Sequence, residues 1–396
     1  MSFWAHSCAM RGEAMADHAY SNPLLSKVMA VIRSDRPLLP VDQPFFNRIE
    51  HVPAGRYAEL WFRTAGCTWD KQGGCTMCNY GASQRPSTES AIASVRAGLA
   101  ELPDPIEELM ISPSGSLLDP VEVDPAVRRE VYALAERRQV GRFLLETRSE
   151  YVTDETMAEL RDSQPSGRAL AIEIGLESSD PWKLRYCVNK GHGPEDFVRA
   201  VEVARRHGVE VYANVCLGTA FLSPLEALED AHDSTLWALN HGASHVVLFP
   251  LHVKPYTLLD NLSQEGRYST VSLWSLVEIL HRLDPALLPR VEIAWYRSYY
   301  DTAAKIRTSP GTCPHCHARV VTMLDDYRAH QTRASVDELM TLACDCREIW
   351  RASLVRPEEP LASRVEREYQ ALAASQGLSE WLVKRQLELS DRGAGL

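Results

Sequence analysis

Apolar runs of strand length recur along this chain, and polar-faced stretches of helical period fill the gaps between them. The runs lie at Tyr57–Thr64, Glu107–Ser112, Arg142–Glu146, Ala169–Leu176, Glu210–Leu217 and Ser244–Leu251. The intervening stretches include TESAIASVRAGLAEL, DPAVRREVYALAERR, GPEDFVRAVEVARRHG and SPLEALEDAHDSTLWALNHG, which carry apolar positions at helical spacing. Pro194 just inside one helix start, with Gly208 and Gly242 just past two helix ends, marks their boundaries. Strand–helix alternation repeated six times predicts a parallel sheet with right-handed crossovers. Six units stop short of a closed eight-fold barrel, so the expected fold is α/β, a partial (β/α)6 barrel. Ligands in such folds meet the carboxyl ends of the strands.

The pattern changes on either side of these units. Residues 1–50 read as an N-terminal helical segment ending in the Pro-rich RPLLPVDQPFF, and residues 51–255 as the barrel. Residues 256–350 form a substrate-side extension: a helix (VSLWSLVEILHRL), a further strand-like run (VEIAWYR) and a cysteine-rich segment, Thr312–Trp350. Residues 351–396 read as C-terminal amphipathic helices.

Composition narrows the class. A net charge of −11 argues against a nucleic-acid partner, which calls for a basic surface, and favours a small-molecule substrate. No run is apolar enough for a signal segment or a membrane span, so the expected location is cytoplasmic, where thiols stay reduced. Ten cysteines in a reduced chain point to metal ligands before disulfides, and seven of them fall into two tight groups.

The first group is Cys67, Cys75 and Cys78, in CTWDKQGGCTMCNYG. Three thiolates suit three irons of a [4Fe–4S] cubane with the fourth left open; a zinc knuckle borrowing a fourth ligand is the alternative. The glycine pair before Cys75 allows the loop to fold back so that the sulfurs converge. This segment resembles the cluster loop of the radical S-adenosylmethionine (SAM) superfamily. The resemblance is to the elongator-catalytic-subunit-like branch, and most closely to the radical SAM subunit of archaeosine synthase. It continues through SPSGSLLD, ETRSEYV, AIEIGLESSD, CVNKGHGPEDF and YSTVSLWSLVEIL, from about Gly55 to Trp350.

The resemblance implies a radical SAM barrel, a SAM-binding cluster on the three cysteines, and an electron donor such as flavodoxin or ferredoxin. It places Ser114, Gly115 and Ser116 at the SAM amino group and Lys190 at its carboxylate. Glu177 and Asn214 fall at the ribose hydroxyls, and Glu146 on the sulfonium or substrate side. The plainer reading of each is a satisfied polar residue at a strand or helix end. Lys254 and Tyr256, with His252, follow the sixth strand and face the same mouth as candidate catalytic residues. Trp295, Tyr296 and Arg297 suit either a planar heterocycle or an aromatic rim, and Asp119 and Asn189 are further candidates. Cys8, Cys187 and Cys216 read as structural thiols.

The second group is Cys313-Pro-His-Cys316 with Cys344-Asp-Cys346. Four thiolates serve a second [4Fe–4S] cluster or a structural zinc, and the Cys-x-Cys pair tilts the reading toward a cluster. His315 and His317 read as loop or supporting residues rather than ligands.

Three functions follow. The first is a radical SAM enzyme on a small nucleoside-like substrate, with sulfur-for-oxygen exchange from the auxiliary cluster, as in thionucleoside (albomycin-type) antibiotic biosynthesis. The second is a radical C–N lyase on a modified nucleoside or tRNA. The third is a non-catalytic zinc protein.

Overall fold

In the computed structural model, the described residues are 20–38, 45–113, 115–298 and 306–385. Eight strands form one sheet in chain order: β1 (Phe45–Val52), β2 (Gly55–Phe62), β3 (Glu108–Ser112), β4 (Arg142–Thr147), β5 (Ala169–Glu177), β6 (Glu210–Leu217), β7 (His245–Pro250) and β8 (Val291–Ile293). β1 runs antiparallel to β2, and every later pair is parallel. The sheet is therefore an open half-barrel. All six apolar runs are strands, VEIAWYR supplies β8, and β1 is an addition within a segment expected to be helical and Pro-rich.

Alternation along each strand separates two chemistries. Ala58, Leu60 and Phe62 on β2, Phe143 and Leu145 on β4, and Val211, Ala213, Val215 and Leu217 on β6 join the main core under the helices. The helix Pro125–Arg137 presses Val127, Val131, Tyr132 and Ala135 into that core, and Pro194–Arg206 presses Phe197, Ala200, Val201 and Ala204. His207 caps the latter, and Gly208 follows in the left-handed conformation (φ 64°) that a helix exit of this kind requires.

The opposite face holds a thinner apolar layer: Tyr57, Met110, Leu144, Ala171, Tyr212, Val247 and Ala294. Two residues further along the same strands, hence on the same face and nearer the carboxyl ends, stand Glu59, Ser112, Glu146, Glu173, Asn214 and Phe249. Polar residues thus line the concave side above an apolar floor.

β1 explains why hydrophobic patterning missed it. Its buried face carries charge: Arg48 is 7% and Glu50 5% exposed, whereas Ile49 is 43% exposed. Arg48 pairs with Glu59 and with Glu50 (3.4 Å), and Arg328 of the helix His317–His330 pairs with Glu50 at 2.6 Å. Inward-pointing charges on an edge strand also discourage edge-to-edge pairing with other chains.

A separate apolar cluster joins the helix Pro23–Ile32, the cysteine loop, the segment after β7 and the C-terminal helix Leu361–Ser375. It seats the loop over the mouth of the half-barrel. Among the described residues, no helix is long and apolar enough to cross a membrane.

One packing contact gives a direct test. A Cβ on Gly98 would overlap Leu60 Cδ1 and lie 3.1 Å from Phe45 Cδ2. Gly98→Ala should therefore destabilise the chain by about 1–3 kcal/mol in urea titrations. Adding Leu60→Ala should cost less in that background than in the wild type.

Candidate radical site

The loop after β2 has little regular structure of its own, and it carries the three cysteines. Cys75 is buried, while Cys67 and Cys78 are partly exposed. The Cys78 thiol donates to Cys75, holding the latter down at about 7, and burial pushes Cys67 up to about 12. Arg148, fully enclosed just past β4, places its charge beside both Cys67 and Cys75. Its Nε donates to Glu150 (2.6 Å), and its guanidinium lies 5.5 Å from the Trp69 ring centroid. Arg148 is a member of this site that sequence reading passed over, although it belongs to the matched segment ETRSEYV.

The strand ends supply the polar surround. Ser116 is fully buried; its N–H donates to Glu122 (2.8 Å), and its hydroxyl lies 2.7 Å from Thr147 Oγ1. Glu122 also accepts from Thr64 (2.9 Å), and burial pushes it up to about 7. A Cβ on Gly115 would come within 2.9 Å of Cys67, so glycine permits the close approach expected of this strand end, here toward the cysteine loop. Ser114 lies outside the described residues.

β5 ends in an irregularity that builds an ion pair. Its register with β6 shifts between Gly175 and Glu177, and Glu177 has φ 66°. Lys190 Nζ sits 2.6 Å from Glu177 Oε1, and the Cys216 thiol donates to Glu177 Oε2 at 2.7 Å. A Cβ on Gly175 would lie 2.5 Å from that carboxylate and 2.6 Å from Nζ, so the bare backbone makes room for the pair. Burial disfavours the Lys190 ammonium, but Glu177 and the Cys75 sulfur outweigh it and hold it above the ordinary lysine range. Cys216, expected to be an ordinary structural thiol, stands inside this group. Asn214 stands one layer deeper, where it bonds Glu173 instead of flanking Glu177, and its Oδ1 is buried without a partner.

Glu146 accepts from Ser112 (3.0 Å), and burial pushes it up to about 7; Glu173 is raised well above the carboxylate range, first by burial and then by Glu146. Lys254 donates to Tyr80 Oη (2.6 Å), two residues past Cys78, and Asn79 Nδ2 donates to Pro255 O (3.1 Å). The segment after β7 is thereby tied to the cysteine loop. Tyr256 is half-buried there with φ 62°. His252 bridges Ser309 Oγ (3.1 Å) and Trp295 O (2.7 Å), and burial pushes it down to about 4. Tyr296 and Arg297 turn instead to Asp325. Asp119 accepts from Thr68 (2.7 Å), and Asn189 braces the loop; both serve its architecture.

The four later cysteines converge: their sulfurs all lie within 4.8 Å of one another. Cys313 is 3.6 Å from Cys316 and 3.5 Å from Cys344, and Cys316 is 3.4 Å from Cys346. Trp274 Nε1 donates to Cys346 Sγ (3.3 Å). The donor set suits iron–sulfur or zinc chemistry, and its present spacing is that spanned by one tetrahedral ion.

Three thiol ligands, a glycine-cleared approach and a buried cation beside the sulfurs fit a three-cysteine cluster with an open position. The Glu177–Lys190 pair can be tested apart from any cofactor. Lys190→Met strands a buried carboxylate and should destabilise the metal-free chain by about 3–5 kcal/mol in denaturant titrations. Lys190→Met/Glu177→Gln should recover most of that loss.

The radical SAM superfamily model matches residues 61–234. The chain is 33% identical over 299 residues to archaeosine synthase subunit beta of Methanosarcina acetivorans, covering 74% of this chain and 83% of that protein. It is 32% identical over 225 residues to the subunit of the same name from Thermococcus kodakarensis, covering 55% and 68%. Among solved structures, the archaeal Elp3 of Methanocaldococcus infernus aligns with a TM-score of 0.44 at 16% identity, spanning 64% of this chain and 60% of that one. The cysteine loop at the mouth of a half-barrel, the superfamily match and the 33% identity to the Methanosarcina acetivorans subunit place the chain in the radical SAM superfamily.

Proposed function

We propose that this enzyme takes a nucleoside-like small molecule into the concave face of the half-barrel and presents one of its carbon-bound hydrogens at the cysteine loop. Cys67, Cys75 and Cys78 would hold the cluster. Gly115–Ser116 and Lys190 would face the amino-acid end of SAM, and Glu177, paired with Lys190, its ribose. When bound and reduced, the cluster and SAM supply a 5′-deoxyadenosyl radical that takes such a hydrogen.

The observation that carries the substrate class is the polar layer on the concave face. Glu146 and Glu173 lie on adjacent strands with Ser112 and Asn214, beside an aromatic Phe249 and above an apolar floor. Carboxylates accept paired hydroxyls, and the unpartnered Asn214 Oδ1 accepts another donor. An aromatic wall suits a base. Lys254, held on Tyr80 beside the loop, would hold or move a proton at the reacting carbon. The segment after β7, tied to the loop, keeps water from that position.

Two fates of the substrate are distinguished by specific observations. Sulfur-for-oxygen exchange is supported by the four-cysteine centre, because Ser309, which bonds His252 at the mouth, precedes Cys313 by only four residues. Cleavage of a C–N bond in a modified nucleoside, free or in tRNA, is supported by the likeness to archaeosine synthase subunit beta.

Anaerobic reconstitution followed by dithionite reduction with SAM should release 5′-deoxyadenosine, and Cys67→Ala/Cys75→Ala/Cys78→Ala should abolish that release. Product mass separates the fates: gain of sulfur with about eight irons per chain supports exchange, and fragment loss supports the lyase. One zinc and about four irons would remove the exchange reading and leave the radical step. Substrate affinity should also depend on Glu146, whose ionised form accepts hydroxyl donors. Affinity should weaken as pH falls through about 7, and Glu146→Gln should flatten that profile, as read by equilibrium binding at several pH values.

A further inference from the structure

The superfamily match begins at residue 61, yet the firmest grip on the cysteine loop comes from the N-terminal helix Pro23–Ile32. Arg33, which ends that helix, lies under the loop with its side chain 6% exposed. Its Nη1 donates to the carbonyls of Asp70 (2.8 Å) and Gly73 (2.6 Å). Its Nη2 donates to those of Cys75 (3.3 Å) and Cys78 (2.5 Å) and pairs with Asp70 Oδ1 at 2.8 Å. Asp70 is in turn fixed by Arg36 (2.8 Å) and by the Gly81 N–H (2.6 Å).

Four carbonyls within the nine residues Asp70–Cys78, between β2 and the helix Thr88–Glu101, have no sheet ladder to satisfy them, and a buried carbonyl without a partner costs free energy. A planar guanidinium offers five donors in a fork and can serve several at once; an ammonium offers three from one point. The glycine pair expected to let the loop fold back does so against this helix. A Cβ on Gly73 would lie 2.7 Å from Ser26 Cβ, and one on Gly74 would lie 3.0 Å from Arg33 Nη1. Asn189 closes the far side, with Nδ2 donating to Gly74 O (2.8 Å) and Ser26 Oγ (3.1 Å) while its Oδ1 accepts from the Asn22 N–H (2.7 Å).

We propose that Arg33 is a positioning residue for the radical site. It fixes the backbone of the three-cysteine loop from its carbonyl side, so that the loop is formed before any cluster arrives. Two consequences follow: the metal-free loop is already ordered, and charge alone in place of the fork does not preserve it.

The test uses the full-length, metal-free chain. Hydrogen exchange across residues 66–81 of the wild type should be slowed to the level of the sheet strands. Exchange there as fast as in an unfolded peptide overturns the proposal without any variant. Alkylation by iodoacetamide, resolved by peptide mass, should be faster at Cys67, Cys75 and Cys78 in both Arg33→Lys and Arg33→Gln by about tenfold. Rates at Cys313, Cys316, Cys344 and Cys346 should not change. After reconstitution, iron and sulfide retained against a chelator should fall in the same two variants. Wild-type alkylation in folded Arg33→Lys, or equal acceleration at all seven cysteines, overturns the proposal; should Arg33→Gln fail to fold, Arg33→Lys and the wild-type exchange still decide it.

Discussion

Three thiols must be held together in a segment with almost no repeating backbone hydrogen bonds of its own, and the rest of the site is arranged around that constraint. A strand or helix satisfies its carbonyls internally; a cysteine loop cannot. The chain solves this by bringing donors from three distant places: Arg33 from the N-terminal helix, Asn189 from the segment after β5, and Leu258, whose N–H donates to Thr76 O at 2.9 Å, from the segment after β7. The Trp69 indole donates back to Asn189 O at 2.9 Å. The loop is therefore as much a product of long-range contacts as the sheet is.

The concave face follows a related rule. A half-barrel exposes one side of a parallel sheet that a closed barrel would fill with apolar layers. Here the floor is apolar and the upper layer is polar, so its charges need partners on all sides. β1 supplies Arg48 and Glu50, and the helix His317–His330 supplies Arg328, which also donates to Ile293 O. The C-terminal extension thus completes the charge balance of the barrel interior, quite apart from any metal that its cysteines hold. The carboxylates on the open side, Glu146 and Glu173, are driven toward protonation by burial.

These features bear on what a reader of the sequence can recover. The six barrel strands were legible because each sends an apolar series into the helix-covered face, and both cysteine groups were legible because their spacing is local. β1 was not, since two of its three buried positions are charged and its isoleucine faces out. Glu177 and Lys190 stood out one at a time. Their partnership was hidden, because it rests on a register shift at Gly175 and on backbone at φ 66° that spacing does not reveal. Arg33 gave no signal, since it serves carbonyls, and a carbonyl leaves no mark in a side-chain pattern. Arg148 lay in a recognised segment but drew no attention until its charge was seen beside Cys67 and Cys75.

The two cysteine groups differ in how they are built, and the difference bears on their chemistry. The first stands among buried charges, with Arg148 and Lys190 at the sulfurs and a polar chamber adjoining. Such surroundings favour a group that changes charge during its work, because nearby fixed cations stabilise the added electron. The second packs against the apolar core beneath the helices, with indoles at its edges: Trp274 donates to Cys346, and Trp350 donates to Ser275 (2.9 Å) beside it. Surroundings of that kind fasten an extension to its domain. Yet the chain that leaves this centre reaches the mouth within four residues, at Ser309 against His252. The four cysteines therefore lie a short stretch of chain from the mouth, and the helix His317–His330 joins them to the barrel, since Cys316 opens it and Arg328 reaches the barrel interior from its far end.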